Sequence, residues 1–179
     1  YEGRIQEAEN MVRSLIPECV AQRKFKWASV AAADLFRIMQ NTGRFEEALD
    51  LVEDIKSYIC QAELGPWTQL MCEGMRMQSL ISLGQYDEVL GAVECIRVQM
   101  KSLTEESSHE ESVTSWHVRE GILDAGREAA MRSEKHQKAL ELNAERLALM
   151  AARGATALEL ARYSMNDSGP LIRLKRYDK

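Results

Sequence analysis

A short sequence pattern recurs along the chain about every forty residues. Segments 3–8 (GRIQEA), 43–48 (GRFEEA) and 84–89 (GQYDEV) share it, and weaker copies occupy 134–139 (EKHQKA) and 175–179 (KRYDK). The third positions of the copies are Ile5, Phe45, Tyr86, His136 and Tyr177, and they are spaced by 40, 41, 50 and 41 residues. Self-similarity at such a period is the mark of stacked structural repeats.

The pattern describes the junction between two helices. A glycine in a short turn ends one helix in the left-handed conformation, and a large residue followed by a small one begins the next. The acidic residues between them favour the positive end of the second helix. Apolar residues then follow at helical spacing, as in Ala48, Val52, Ile55 and Ile59. A single pair of helices cannot bury these apolar residues, but a stack of helix pairs can.

The amino-acid composition also favours a helical fold. The chain of 179 residues is 45% hydrophobic and 28% charged, with three prolines and ten glycines. These values are typical of a globular protein rich in helix, and they argue against disordered, collagen-like and disulfide-rich chains. We therefore expect an all-α fold.

The turn segments resemble those of the tetratricopeptide-repeat (TPR) family, which carries G-x-aromatic-x-x-A at this place. The resemblance implies a right-handed superhelical solenoid of antiparallel helix pairs, with about four to five repeats. The period near 41 exceeds the usual 34, as in long-helix variants of bacterial regulators and motor light chains. Armadillo or HEAT-like helical repeats remain an alternative.

This register divides the chain into repeats within a single domain, 1–179. Residues 1–24 form a partial repeat, 25–64, 65–103 and 112–153 form complete repeats, and 154–179 form a second partial repeat. The acidic, serine-rich segment 103–112 reads as an exposed insertion. Because both ends fall inside repeats, we expect a fragment of a longer chain whose uncapped terminal repeats favour self-association.

Helix positions follow from the same register. We predict helices over 26–41 and 45–61, over 67–82 and 86–102, and over 113–131 and 134–152. An earlier helix over 4–15 is expected to end or kink near Pro17. A last helix, from 155 to about 174, is expected to kink or to be interrupted at Gly169-Pro170.

Charge and hydropathy narrow the classes of partner. The 23 basic and 28 acidic residues give a net charge of -5 without a basic stripe, so nucleic acid is a poor partner. No apolar run reaches the roughly 20 residues of a membrane-spanning helix, and no targeting signal opens the sequence. We therefore expect a cytoplasmic protein without a membrane partner.

Catalytic and metal-binding motifs are absent from the sequence. Cys19, Cys60, Cys72 and Cys95 form no C-x-x-C pair, and we expect each to be a small buried hydrophobic residue. His109 and His117 lack the H-E-x-x-H arrangement. We expect no enzyme activity, no metal site and no cofactor.

Two groups of residues allow more than one interpretation. The glycines Gly121 and Gly126 suggest close helix packing. Met71, Met75 and Met77 read more readily as core than as an adaptable binding surface, though methionine suits both.

The family resemblance also implies a concave groove lined by the first helix of each repeat. Transferring its positions gives a polar candidate contact set: Arg37, Gln40, Asn41, Gln78, Ser82, Asp124, Glu128, Arg132, Arg162, Asn166 and Arg173. The family's clamp for a terminal carboxylate is not expected, because Ala33 and Arg37, then Gly74 and Gln78, occupy its positions. Arg162 and Asn166, one turn apart, could hold an acidic group.

These observations predict a non-enzymatic module that binds a protein or peptide partner in the groove. The alternative is a regulatory sensor domain of a signalling or transcription-regulatory protein. In that case the groove would receive a small ligand or signal peptide, and the repeats would transmit a change of pitch.

Overall fold

A computed structural model describes residues 2–103 and 113–176 of the chain. Over these ranges the fold is helical, without a strand. The helices are α1 (Glu2–Ala21), α2 (Phe25–Asn41), α3 (Phe45–Gln61), α4 (Pro66–Ser82), α5 (Tyr86–Ser102), α6 (Ser115–Arg132), α7 (His136–Ala152), α8 (Ala157–Ser164) and α9 (Ser168–Arg173). The all-α TPR-like solenoid is confirmed, and helices α2 to α7 begin and end within two residues of their predicted bounds.

The repeated turn has the backbone conformation that its glycine suggests. Gly43 and Gly84 have φ of 76° and 78°, in the left-handed region. Glu134, which replaces glycine in the weaker copy, takes the same conformation with φ of 60°. In each turn the following residue donates its N–H to a carbonyl five residues earlier, as Lys135 does to Ala130 at 2.8 Å. The register therefore persists where the glycine is lost.

The second helix of each repeat is buried along one line of residues. In α3 these are Ala48, Val52, Ile55 and Ile59; in α5, Val89, Val93, Ile96 and Met100; in α7, Ala139, Asn143, Arg146 and Met150. The small residue after the turn is wholly buried in all three helices. Each of these helices lies against the first helix of its own repeat, and α3 and α5 also contact the first helix of the next.

First and second helices meet their neighbours differently. The first helices α4 and α6 pack directly on each other. The second helices α5 and α7 are joined by long side chains, since Arg97 pairs with Glu145 and Lys138 with Glu94. In these two repeats the first helices therefore lie closer together than the second helices do.

A buried ion pair joins the first helix to the second repeat. Glu9 of α1 is 5% exposed and accepts bonds of 2.9 and 2.7 Å from Arg44, in the turn before α3. Arg13 donates to the same carboxylate at 2.8 Å. The Arg44 and Arg13 hydrogen bonds lower the pKa of Glu9 from 4.5 to about 2. An exposed ion pair joins the third and fourth turns, where Lys135 bonds to Asp87 at 2.5 Å.

The proline near the amino terminus does not end its helix. Helix α1 continues through Pro17 to Ala21, so the expected end at Pro17 is wrong. The turn beyond it is held because Cys19 is buried and its carbonyl accepts the N–H of Lys24 at 2.8 Å. Packing here outweighs the one backbone hydrogen bond that proline removes.

The last predicted helix is interrupted, as expected, and the break lies about one turn before Pro170. Helix α8 stops at Ser164, a 3-10 turn covers Met165–Asp167, and Pro170 lies in the first turn of α9. Proline cannot donate to the carbonyl four residues earlier, which is where the break lies. Asn143 of α7 also bonds at this place, since its amide donates to the Tyr163 carbonyl at 3.1 Å and to Asp167 Oδ1 at 2.9 Å.

The insertion and the cysteines differ in part from the prediction. Leu103, assigned to the exposed insertion, is half-buried against the core, and residues 104–112 lie outside the described residues, as does Tyr177. Cys19 and Cys72 are buried as expected, and burial raises the pKa of the Cys72 thiol to about 12. Cys60 and Cys95 are exposed, which corrects the expectation that all four are buried.

The Glu9 ion pair yields a pH-dependent prediction. A carboxylate with a lowered pKa stabilises the fold above its unfolded pKa, and this contribution is lost as the pH falls from about 4.5 towards 2. Glu9→Gln should therefore lower the free energy of unfolding by about 2 kcal/mol at pH 7, measured by urea unfolding. The difference from the original chain should shrink below pH 4.5.

The matched control is Glu47→Gln. Glu47 is exposed and lies 3.7 Å from Arg13 and 3.8 Å from Arg44, so its removal should cost less than about 1 kcal/mol. Equal effects of the two substitutions would contradict the assigned role of Glu9.

Candidate functional site: the groove between α4 and α6

A groove of about 370 Å³ runs between the two first helices α4 and α6. Its floor is apolar and is formed chiefly by Leu70, Ile81, Val118 and Ile122. These residues belong to the core of repeats three and four, so packing fixes the floor in place. A rigid apolar floor with open access is typical of a recognition site.

Glycines shape the walls of this groove. Gly74 of α4 and Gly121 of α6 both line it. A Cβ atom added at Gly121 would meet nothing within 4 Å, whereas one at Gly126 would lie 2.9 Å from Val93 Cγ2. The close-packing interpretation therefore holds for Gly126 and is wrong for Gly121. Gly121 costs helix stability and leaves open space in the groove.

The methionines divide between core and groove. Met77 is buried, as the core interpretation predicts. Met71 is 38% exposed and Met75 is half-buried, and both line the groove. For Met71 the core interpretation is wrong, whereas Met75 packs partly against the core of the second repeat as well as lining the groove. Both give the groove an adaptable apolar wall.

Polar side chains gather towards the carboxyl ends of the two helices. Gln78, Asp124 and Glu128, all from the predicted contact set, line the groove there. Asp124 accepts from Arg127 at 2.9 Å and from Arg146 of α7 at 2.6 Å, so its position is fixed. Glu128 bonds within α6, to the half-exposed Arg132 at 2.6 Å.

The predicted residues of α2 lie outside this groove. Arg37 is exposed and pairs with Asp34 on its own helix. Gln40 donates to Ser79 of α4 at 2.7 Å and so joins two first helices. Asn41 is exposed at the end of α2. The structure does not bring these three to the α4–α6 groove, and their role in binding stays a prediction.

The remaining predicted residues lie at helix ends or in the last repeat. Ser82 is exposed and donates to the Gln78 carbonyl at 3.0 Å. Arg132 is exposed, and its hydrogen bond to Tyr86, together with Glu128, raises its pKa. Arg162 lies 6.0 Å from the ring centre of Tyr163, Asn166 is half-buried in the 3-10 turn, and Arg173 is exposed. Their contact role also stays a prediction.

The sequence interpretation missed the apolar half of the groove. Met71, Gly74, Met75 and Gly121 were absent from the predicted set. Methionine at helical spacing is the same signal for core and for groove. Glycine inside two successive first helices was the available signal, because a helix interior otherwise disfavours it.

Neither a metal centre nor a membrane span is found in the described part of the chain. Over residues 2–103 and 113–176, no cluster of three or more His, Cys, Asp or Glu side chains is placed to hold a metal ion. Over the same ranges, no helix has the length and hydropathy needed to cross a membrane.

Solved structures share this architecture. A point variant of a Podosopora anserina protein with nearly identical TPR-like repeats, assigned to the kinesin light chains, superposes with a TM-score of 0.67. The match covers 98% of this chain and 81% of that chain at 17% identity. A second structure, of the Podosopora anserina protein without that substitution in its description, gives 0.59 at 18% identity, over 98% and 86%. The chain has a TPR-like repeat fold.

At this identity the likeness concerns the fold alone. No protein-family model matches the chain, and no curated protein matches it either.

Replacement of the two glycines of α6 by alanine should change the free energy of unfolding in opposite directions. Gly126→Ala should lower the free energy of unfolding by about 1 to 3 kcal/mol, because the new methyl group overlaps Val93 and Leu142. Gly121→Ala should raise it by about 0.5 to 1 kcal/mol, because it improves helix propensity in open space.

Urea unfolding measures both substitutions. Gly91→Ala is the control, since Gly91 lies inside α5 with nothing within 4 Å of an added Cβ. It should stabilise as Gly121→Ala does. Destabilisation by Gly121→Ala would show that its space is filled by the protein itself.

Proposed function

We propose that this chain is a non-enzymatic protein-interaction module, and that a segment of a partner protein binds in the α4–α6 groove. The observation that carries the proposal is the open space at Gly121 above a buried apolar floor. A helix interior loses stability through glycine, and no close contact offsets that loss here. The loss of helix stability at Gly121 is explained if the glycine leaves space for a side chain of the partner.

The stack supports this use of the groove. Core packing fixes α4 and α6, and Arg146 of α7 bonds to Asp124 at the rim. Little side-chain ordering is then required when a partner binds, which lowers the entropic cost of association. Stacked helix pairs present such grooves as extended binding surfaces.

The sensor alternative differs in the occupant of the same groove. A volume of about 370 Å³ is near the lower end of the range for small-molecule sites. A small ligand bound there would compete with a peptide, so the two can be separated by experiment.

Self-association remains a separate proposal. Met11, Leu15, Trp27 and Val30 on α1 and α2 are exposed, with Trp27 at 60%. An apolar surface of this kind favours contact with another protein surface.

The test is capture of partners from a host lysate by the full chain, followed by mass spectrometry. The groove variant carries Met71→Ala, Gln78→Ala and Glu128→Ala. We expect it to recover at least about tenfold less of the specific partner, because a few central residues dominate binding energy. Circular dichroism checks that its helix content is unchanged.

The control variant carries Asp50→Ala, Gln99→Ala and Glu141→Ala, three exposed polar residues on the second helices α3, α5 and α7. It should capture the partner as the original chain does. Equal capture by all three proteins would place binding elsewhere. Absence of any partner, with a small molecule retained by the original chain alone, would favour the sensor.

A further inference from the structure

The groove differs chemically from one end to the other. Towards the amino-terminal ends of α4 and α6 it presents Met71, Met75 and the space at Gly121, with Thr114 and His117 as the polar residues there. Towards the carboxyl ends it presents Gln78, Asp124 and Glu128. Since both are first helices, α4 and α6 run in the same direction, and their polar ends coincide.

The charged groups at the polar end lie in pairs. Asp124 and Glu128 are the acidic residues among the described lining residues, and the arginines bonded to them lie outside the lining: Arg127 and Arg146 on Asp124, and Arg132 on Glu128. The carboxyl ends of two parallel helices add the negative ends of their dipoles at Ser82 and Arg132. A ligand cation can bind beside Glu128 in place of Arg132.

Glu128 is the carboxylate free to exchange its partner. Asp124 is bonded by two arginines, one of which, Arg146, is buried. Glu128 bonds to Arg132, whose side chain is 50% exposed, one turn away. Exposed pairs of this spacing contribute little to stability, so replacement of Arg132 by a ligand cation costs little. Arg132 retains its hydrogen bond to Tyr86.

The apolar end has room for a side chain. The floor beneath Gly121 is buried core, and the two methionines beside it can change rotamer to fit different shapes. The total volume of about 370 Å³ suits a short segment with one or two inserted side chains.

We propose that the groove recognises a peptide segment in which a large apolar side chain fills the space at Gly121 and a nearby lysine or arginine pairs with Glu128. This inference rests on the proposed function and specifies its partner. Charge complementarity decides the class, because a segment with an acidic residue at the same place would face Glu128 and the helix carboxyl ends.

The experiment is selection of a displayed random-peptide library on the full chain, with Gly121→Met kept for the later comparison of affinities. Enriched peptides are synthesised, and their affinities are measured by fluorescence anisotropy. We expect the enriched peptides to carry a large apolar residue within about four positions of a lysine or arginine, a separation of about one turn in a helical peptide. Replacing either by alanine in the peptide should weaken binding about tenfold, which corresponds to about 1.4 kcal/mol.

Matched protein variants locate the peptide. Gly121→Met should abolish detectable binding by filling the groove, while Gly91→Met, at an exposed glycine of α5, should leave it unchanged. Glu128→Gln should weaken binding roughly three- to tenfold and reduce its dependence on salt. Glu141→Gln on α7 should have no effect.

Other results would distinguish failure of the inferred peptide chemistry from failure of the groove as the binding site. Peptides that require Gly121 but carry acidic residues, or lack a large apolar residue, would overturn the inference and leave the groove as the binding site. Peptides that bind the original chain and Gly121→Met equally would overturn both the inference and the groove. A selection that enriches no peptide would overturn the inference together with the proposed function.

Discussion

The buried line of residues on each second helix is the constraint on which the stack depends. Ile55 of α3 is 1% exposed because α2 lies on one side of it and α4 on the other. Leu15 holds the equivalent position in α1 and is 44% exposed, because among the described helices α2 alone covers it closely. A helix pair of this sequence is therefore stable through its neighbours, and the stack behaves as one unit.

The groove follows from that constraint. Because α4 and α6 supply the cover for α5, they lie side by side and pack directly on each other. Gly126 allows α6 to approach Val93 of α5 and Leu142 of α7. Little more than one turn earlier on the same helix, Gly121 faces open space instead. The same residue type thus closes the core at one position and leaves open space in the groove at the other.

The turns, and hence the helices, could be predicted from sequence because left-handed glycines and a buried small residue carry local signals. Even Glu134 was placed correctly, since its neighbours kept the register. The position of the break at Met165 could not be predicted in full, because Asn143 of a different helix bonds there. Three residues of the contact set taken from the TPR resemblance, Gln78, Asp124 and Glu128, line the groove. Its apolar half was missed, since Met71 and Met75 have the spacing of core residues.

The most direct test of the groove is methionine-methyl NMR of the full chain with a peptide it selects. The nine methionines sample the ends, the core and the groove of the molecule. The account predicts that the Met71 and Met75 methyl signals shift on binding. Met77 and Met150, which are buried, and Met11, which is exposed on α1, should not move. Shifts confined to Met11, or unchanged Met71 and Met75 signals at saturation, would contradict it.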